Sequence, residues 1–247
     1  MWTNNQRDKL LFKLPLVSIM STLGDDVPML DISQMDFYRM QIETGNDLEQ
    51  YTATNWFRRV LLSESDPPIV TILRSGVVQV LLGILARGNS QNEQLISMLQ
   101  HEAAWALNIF CEGESEYIQF VVKQGAVPCF VRLLHSTTNE DIKEQASLAL
   151  GNIASDSIQL RDMVIKAGAV KVMAKKFNPD AGASLVRATM WAMSTFCQGK
   201  PAPSLDVVRV LVPLLAMNVN SQDIEAVANA CSALSYIADG EDDSEVR

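Results

Sequence analysis

The segment Ala146-Ser147-Leu148-Ala149-Leu150 sets the architecture, because close variants of it recur along the chain. The copies are Ala103-Ala104-Trp105-Ala106-Leu107, Thr189-Met190-Trp191-Ala192-Met193 and Ala230-Cys231-Ser232-Ala233-Leu234. Their central residues, at positions 105, 148, 191 and 232, lie 43, 43 and 41 residues apart. Repeats of about 40 to 47 residues are typical of helical solenoids, in which each unit buries the apolar face of its neighbour. The spacing therefore predicts an all-helical repeat protein.

A second repeated signal is a glycine between two short apolar segments. Gly125-Ala126-Val127-Pro128 and Gly168-Ala169-Val170 lie 43 residues apart, and Gly76-Val77-Val78 is an earlier copy. Such a glycine ends one helix and lets the chain turn, and a proline soon after it suits the first turn of the next helix. With the longer alanine-rich helix that follows, each unit has three helices, which favours armadillo over two-helix HEAT repeats. The predicted fold class is an all-α, right-handed armadillo repeat superhelix.

The repeat frame divides the chain into three regions. Residues 46–240 form the armadillo domain, with a partial N-terminal unit, Asp47 to Leu62, and about four repeats. The repeats run approximately over residues 66–113, 114–156, 157–199 and 200–240. Residues 1–45 contain a short apolar helix, Lys9 to Thr22, and then a stretch from Asp25 to Asn46 whose weak periodicity predicts a poorly ordered insertion. Residues 241–247 form an acidic tail.

The overall composition excludes several classes of function. The chain has 247 residues, a formal charge of −9 at pH 7 and 48% apolar residues, so it can form a large core but has no overall positive charge for nucleic acid. Its apolar stretches are shorter than the roughly 20 residues that span a bilayer. The four cysteines are far apart and have apolar neighbours, as in proteins of a reducing compartment.

No constellation of residues indicates catalysis. The two histidines, His101 and His135, have no Cys, His or carboxylate at metal-ligand spacing, and the chain has no phosphate-binding glycine loop or nucleophile elbow. The sequence therefore predicts no enzyme, no catalytic residue, no metal site and no cofactor. A short basic run, Lys171, Lys175 and Lys176, is interpreted as a solvated helix face.

Several motifs, in fixed order over about residues 46–240, resemble the importin-α family. They are Phe57-Arg58-Arg59 to Pro67-Pro68-Ile69, His101 to Leu107, Glu144 to Asp156, Met190 to Lys200 and Ser235 to Gly240. In importin-α, third helices of this kind line a concave groove that binds an extended, lysine-rich nuclear localisation signal. The family pattern places an Asn four residues after a Trp, on the same helix face. The Trp holds the aliphatic stem of a lysine, the Asn amide binds the peptide backbone, and carboxylates at the groove edge take the ammonium groups.

The resemblance implies seven signal-binding residues in this chain. They are Trp105, Gln145, Asn152, Asp156, Trp191, Glu225 and Tyr236. No unit, however, carries the intact Trp and Asn pair. The first unit has Ile109 at the Asn position, with Asn108 one residue away, and the second has Leu148 at the Trp position. The third has Thr195 for Asn, and the fourth has Ser232 for Trp.

Two functions remain open at this point. The first is a non-enzymatic nuclear import adaptor of importin-α type, found in cytoplasm and nucleus, that binds Lys/Arg-rich signal peptides and neither nucleic acid nor membrane. The alternative, which the groove substitutions favour, is an importin-α-derived armadillo scaffold that has lost signal binding and holds other proteins. Importin-β is a partner expected for the family. Its basic binding segment is not visible, since Arg7, Lys9 and Lys13 are the only basic residues among the first 20, so we expect no recruitment by that route.

Overall fold

The structure is a computed structural model, and it describes residues 32–63, 67–87 and 92–239. The chain divides into two compact units, Met1–Ser33 and Gln34–Arg247, of which the second holds nearly all described residues. The predicted helix from Lys9 to Thr22 and the predicted acidic tail over 241–247 lie outside the described residues. Among the helices in the described ranges, none has both the length and the apolar character needed to cross a lipid bilayer.

The described residues form helices joined by short loops. A 3-10 turn spans Ile32–Gln34. The α-helices are α1 (Met35–Thr44), α2 (Asp47–Leu61), α3 (Ile69–Arg74), α4 (Val77–Leu85), α5 (Glu93–Glu112), α6 (Ser115–Lys123), α7 (Ala126–Ser136), α8 (Glu140–Asp156), α9 (Ile158–Lys166), α10 (Ala169–Lys176), α11 (Ala183–Cys197), α12 (Leu205–Asn218) and α13 (Ile224–Ala238).

A glycine separates the first helix from the second in each of three successive units. Gly76, Gly125 and Gly168 have φ angles of 86°, 93° and 93°. This left-handed conformation costs other residues about 1 kcal/mol or more, and a helix cannot continue through it. The helices α3, α6 and α9 therefore end just before these glycines, and the predicted three-helix unit is confirmed for residues 69–112, 115–156 and 158–197.

The last unit differs from the expected three-helix pattern. Leu211 stands 43 residues after Gly168, in the place of the missing glycine, and the single helix α12 runs through it. The expectation of three helices in the unit 200–240 is therefore wrong for its described residues, which form only α12 and α13. The physical reason is that no residue from 200 to 239 is a glycine that could take the left-handed conformation.

The long final helix of each unit packs on the final helix of the next, in the order α2, α5, α8, α11, α13. These five are called the third helices below. These helices bury small side chains, and Ala103, Ala146, Ala149, Ala192 and Ala230 are fully buried. Because an alanine projects little beyond the backbone, neighbouring third helices can approach closely. The repeated alanines of the sequence are thus suited to close packing of the third helices.

Polar residues determine where the third helices begin. The side chains of Asn46, Asn92, Asn139 and Asp223 each accept a hydrogen bond from a backbone N–H of the first helical turn. The start of α11 is fixed differently, because the backbone N–H of Gly182 donates to Glu140 Oε2 on α8 at 3.0 Å. The bond from Gly182 thereby joins the start of α11 to the start of α8.

The prediction of a poorly ordered insertion over Asp25 to Asn46 is wrong for residues 35–44, which form α1. Tyr38 stacks on Trp56 of α2 with ring centroids 4.6 Å apart, and Ile42 is fully buried. The side-chain amide of Gln50 in α2 donates to the carbonyl of Ile42 at 3.0 Å. Few residues of α1 need to be apolar for these contacts, so its periodicity is weak. Residues 25–31 lie outside the described part of the chain.

Candidate functional site

The first predicted indole, Trp105 on α5, is half-buried and carries a cation of the chain itself on one face. The guanidinium carbon of Arg58 on α2 lies 4.2 Å from the ring centroid, within the range of a cation–π contact. The imidazole of His101, one turn earlier in α5, has its centroid 5.7 Å from that of the indole. One face of Trp105 is therefore already used within the protein.

A buried carboxylate fixes Arg58 in this position. Arg58 Nε donates to Glu102 Oε2 at 2.5 Å, and Asn55 Nδ2 donates to the same oxygen at 3.1 Å. Arg58 and Glu102 are both only 7% exposed. Charges buried to this degree lose their hydration, so removing one partner leaves the other in an unfavourable environment. The pair joins α2 to α5 and holds the guanidinium over the indole.

Two predicted peptide-binding amides, Gln145 and Asn152 on α8, are joined through Asn108 on α5. Asn108 Nδ2 donates to Gln145 Oε1 at 3.3 Å, and Asn152 Nδ2 donates to Asn108 Oδ1 at 3.0 Å. All three side chains are buried, with exposures of 9% or less. Among the described residues, no hydrogen bond involves the side-chain atoms Asn152 Oδ1 or Gln145 Nε2. Those two groups are still able to bind a peptide.

Asp156, the last residue of α8, is half-buried beside the start of α6. The hydroxyl of Ser115 donates to Asp156 Oδ2 at 2.9 Å. A carboxylate accepts several hydrogen bonds, so this single bond orients Asp156 and leaves acceptor sites for an ammonium group. Asp156 is therefore a well-positioned anion at the end of a third helix.

Trp191 on α11 lies directly against Gly151 of α8. A Cβ atom added to Gly151 would be 2.5 Å from Cζ3 and 2.9 Å from Cε3 of this indole, closer than atoms can approach. The ring is half-buried. Thr195, at the family's Asn position, is 6% exposed, and its hydroxyl donates to the carbonyl of Ala192 at 2.7 Å. Glycine thus makes room for the indole, while the Thr195 hydroxyl is used within its own helix.

Glu225 and Tyr236 are placed on α13. Glu225 is exposed, and its Oε2 lies 3.8 Å from Nε of Arg187 on α11. The same Nε donates to Asp223 Oδ2 at 2.7 Å. Burial alone would raise the pKa of Asp223, but hydrogen bonds from the Ala226 N–H and from Arg187 outweigh burial and lower it. Arg187 thus partly neutralises the charge of Glu225. Tyr236, close to the C-terminal end of α13, is half-buried.

Comparisons with known proteins match the sequence of this chain to a family. A sequence model of the Armadillo/beta-catenin-like repeat matches residues 114–155. Importin subunit alpha-1b of Oryza sativa subsp. japonica is 39% identical over 82% of this chain and 36% of its own length. Importin subunit alpha-2 of Arabidopsis thaliana is 42% identical over 78% of this chain and 35% of its own length. The chain belongs to the importin-α family. It spans about a third of the length of these relatives.

Solved structures confirm the fold of this importin-α family member. A computationally designed armadillo repeat protein for modular peptide recognition superimposes with a TM-score of 0.70 at 21% identity, over 85% of this chain and 84% of the other. A designed armadillo repeat protein in complex with the peptide (KR)4 superimposes with a TM-score of 0.68 at 19% identity, over 96% of this chain and 100% of the other. The armadillo-repeat fold predicted from the 43-residue spacing is therefore confirmed.

Three residues that contact the candidate residues are not among the seven predicted from the sequence. Asn108 is the centre of the amide row, Arg58 covers Trp105, and Gly151 accommodates Trp191. Asn108 and Gly151 had local signals, since each lies three residues after the repeat marker at position 105 or 148. Arg58 lies in the quoted motif Phe57-Arg58-Arg59, but its position over Trp105 had no sequence signal, because its partner Glu102 is 44 residues away in sequence.

Proposed function

We propose that this chain is the signal-binding part of a nuclear import adaptor that moves between cytoplasm and nucleus. In this proposal its third helices bind Lys/Arg-rich nuclear localisation signals of cargo proteins. It acts by binding alone, with no catalytic step. The family relationship to importin subunits alpha supports the adaptor role. Importin-β is the second partner that the family implies.

The observation that carries the proposal is the pair of half-buried indoles, Trp105 and Trp191, two units apart on third helices. An indole that is partly exposed can cover the methylene stem of a lysine, which contributes roughly 0.5 to 2 kcal/mol per contact. Asp156 then binds the ammonium group, and the remaining polar groups of Gln145 and Asn152 bind the peptide backbone. Glu225 and Tyr236 extend the same role to α13.

Titration calorimetry with a lysine-rich signal peptide tests the proposal. We expect binding that weakens as salt is added, because exposed charge pairs are screened. Trp191→Ala should weaken binding about 2- to 30-fold through loss of the lysine-stem contact. Asp156→Lys should weaken it more, because it replaces an attractive charge by a repulsive one.

Asp206→Lys is a matched control for the charge change, since Asp206 is 92% exposed on α12 and is not a candidate. It should weaken binding far less than Asp156→Lys. Absence of binding at low salt, or equal weakening by the two charge reversals, would reject signal binding at this face.

The alternative function is an armadillo scaffold that has lost signal binding and holds other proteins. The internal bonding of the amides favours it, since Asn108, Gln145 and Asn152 satisfy one another in part, and Thr195 bonds to its own helix. A pull-down in the presence of excess basic peptide separates the two functions. Partners of neutral or acidic composition that persist under this competition support the scaffold, and their displacement supports the adaptor.

A further inference from the structure

A small crevice lies on the side of α8 and α11 that faces away from the candidate site. Its floor is apolar and includes Leu134 of α7, Met173 of α10 and Leu185 of α11, all buried. Its polar lining includes Ser147, Lys143 and Lys176. The sequence interpretation of Lys176 as part of a solvated face does not account for this position, because Lys176 shares the crevice with a lysine from another helix.

Helix geometry separates this crevice from the signal-binding face. Successive residues of an α-helix are rotated by about 100°, so Lys143 and Ser147, four residues apart, share one side of α8. Gln145, Asn152 and Asp156 point roughly to the opposite side of the same helix. The crevice and the candidate site are therefore two distinct surfaces.

The two lysines of the crevice carry uncompensated charge. Among the described residues, neither Lys143 nor Lys176 has a carboxylate oxygen within 4.0 Å of its ammonium group. Of the acidic residues near Lys143 on α8, Glu140 is engaged elsewhere, since it accepts a hydrogen bond from the N–H of Gly182 at 3.0 Å. No lysine of the described residues forms an ion pair, so these two are set apart by their position, since both lie at the edge of one apolar floor.

The groups of the crevice define the chemistry of its ligand. Lys143 is half-buried and Lys176 exposed, so both can bind carboxylates without being removed from solvent completely. The Ser147 side chain has no hydrogen-bond partner among the described residues and lines the same space. The apolar floor suits a small aliphatic side chain, whereas a phosphate polyanion or a lipid headgroup would leave it uncovered.

We propose that this crevice binds an acidic peptide that carries one small aliphatic anchor residue. The anchor lies on the floor formed by Leu134, Met173 and Leu185, and flanking carboxylates bind Lys143 and Lys176. The family member thereby has a second peptide site, of opposite charge preference to the first, on the other side of the same two helices.

Fluorescence anisotropy with a labelled Glu-Glu-Val-Glu-Glu peptide tests this proposal on the full chain at low salt. Lys143→Gln combined with Lys176→Gln should weaken binding about tenfold or more, because both charge contacts are lost. Lys171→Gln combined with Lys175→Gln is the matched control, since both lysines are exposed on α10 and do not line the crevice. It removes the same net charge and should weaken binding less than about twofold. All four changes are at exposed or half-buried lysines, and thermal melts should show that both variants fold.

The anchor is tested by a peptide with Gly in place of Val, which should bind about fivefold or more weakly because no aliphatic side chain covers the floor. Equal weakening by the two double variants would overturn the proposal, since it would show general attraction to positive charge. Absence of binding to the wild-type chain, indifference to the Val to Gly change, or tighter binding to single-stranded RNA or to anionic lipid vesicles than to the peptide would also overturn it.

Discussion

The contact between Gly151 and Trp191 leaves no space for even one methyl group. Gly151→Ala should therefore displace the indole or shift α11, and we expect it to destabilise the chain by about 1 to 3 kcal/mol, as for overpacking in a core. Urea denaturation measures the loss. Tryptophan fluorescence emission should change as well. The change should be absent when Trp191→Phe is compared with the double variant Trp191→Phe and Gly151→Ala, because neither variant has an indole at position 191.

Gly83 in α4 is the matched control for Gly151, because both lie inside helices. A Cβ atom at Gly83 would have no neighbouring atom within 4 Å. Gly83→Ala should therefore stabilise the chain by about 0.5 to 1 kcal/mol through helix propensity. Equal effects of the two substitutions, in sign and size, would contradict the packing argument.

The buried ion pair of Arg58 and Glu102 is a second determinant of stability at the residue scale, because both residues are only 7% exposed. Arg58→Leu leaves the Glu102 carboxylate buried without its cation and should destabilise the chain by about 3 to 5 kcal/mol in urea denaturation. The exposed pair of Arg209 and Asp206 is the control, and Asp206→Asn should change stability little, since exposed ion pairs are screened by solvent. A small effect of Arg58→Leu on the free energy of unfolding would contradict this prediction, since it would show that the guanidinium over Trp105 contributes little to stability.

At the residue scale, the repeat pattern correctly located the candidate residues on the third helices but did not predict their bonds. Trp105 and Trp191 are half-buried, as a role in binding requires, although that role itself stays a prediction. The bond from Asn152 to Asn108 could not be derived, because Asn108 is one position off the family register and the distance between two helices decides whether amides meet. The same holds for Arg58 over Trp105.

At the scale of elements, α13 is held to α11 by the capping residue Asp223. Its carboxylate caps α13 at the Ala226 N–H and pairs with Arg187. The pKa of Asp223 is lowered in the folded chain, so this contribution to stability is fully present above the ordinary value of 3.8 and is lost as pH falls through the folded pKa.

The substitution Asp223→Asn tests this direction of the pH dependence of stability. Asparagine caps a helix about as well as aspartate but cannot pair with Arg187 as a charge. The difference in urea midpoint between wild type and Asp223→Asn should be largest at neutral pH and should shrink below pH 3.8. A difference that is constant over this range would show that the charge of Asp223 does not stabilise α13.

Element boundaries followed from the sequence wherever a specific residue ends or begins a helix. The glycines at 76, 125 and 168 stop helices in the predicted places, since their backbone conformation is local. The merged helix α12 and the additional helix α1 were missed for opposite reasons. α12 lacks the expected stop signal, whereas α1 has little apolar pattern and depends on contacts of Tyr38 and Ile42 with distant residues.

At the scale of the whole repeat array, residues 34–239, stability should be highest in the central units. α8 and α11 each pack between two third helices, whereas α13 packs on α11 and α12, and its buried residues are only Ala226, Ala230 and Ala233. In a repeat protein each unit is stabilised by its neighbours, so a helix that buries few residues opens before the central ones.

Hydrogen exchange measured by mass spectrometry tests this gradient. Backbone amides of α8 should exchange at least about tenfold more slowly than those of α13, which corresponds to a difference of about 1.4 kcal/mol in opening free energy. Peptides from α5 and α11 are the internal comparison and should resemble α8. Uniform protection across α5, α8, α11 and α13 would mean that the array opens as a single cooperative unit.

The buried alanines between the third helices have a consequence for how new specificity can arise in this scaffold. Interhelical separation depends on residues such as Ala146, Ala149 and Ala192, whereas ligand contacts would depend on neighbours such as Leu148 and Ser232, which are only half-buried or exposed. Spacing and chemistry are thus encoded by different side chains. Mutation can therefore diversify what each helix recognises, one position at a time, while the geometry of the array is inherited unchanged.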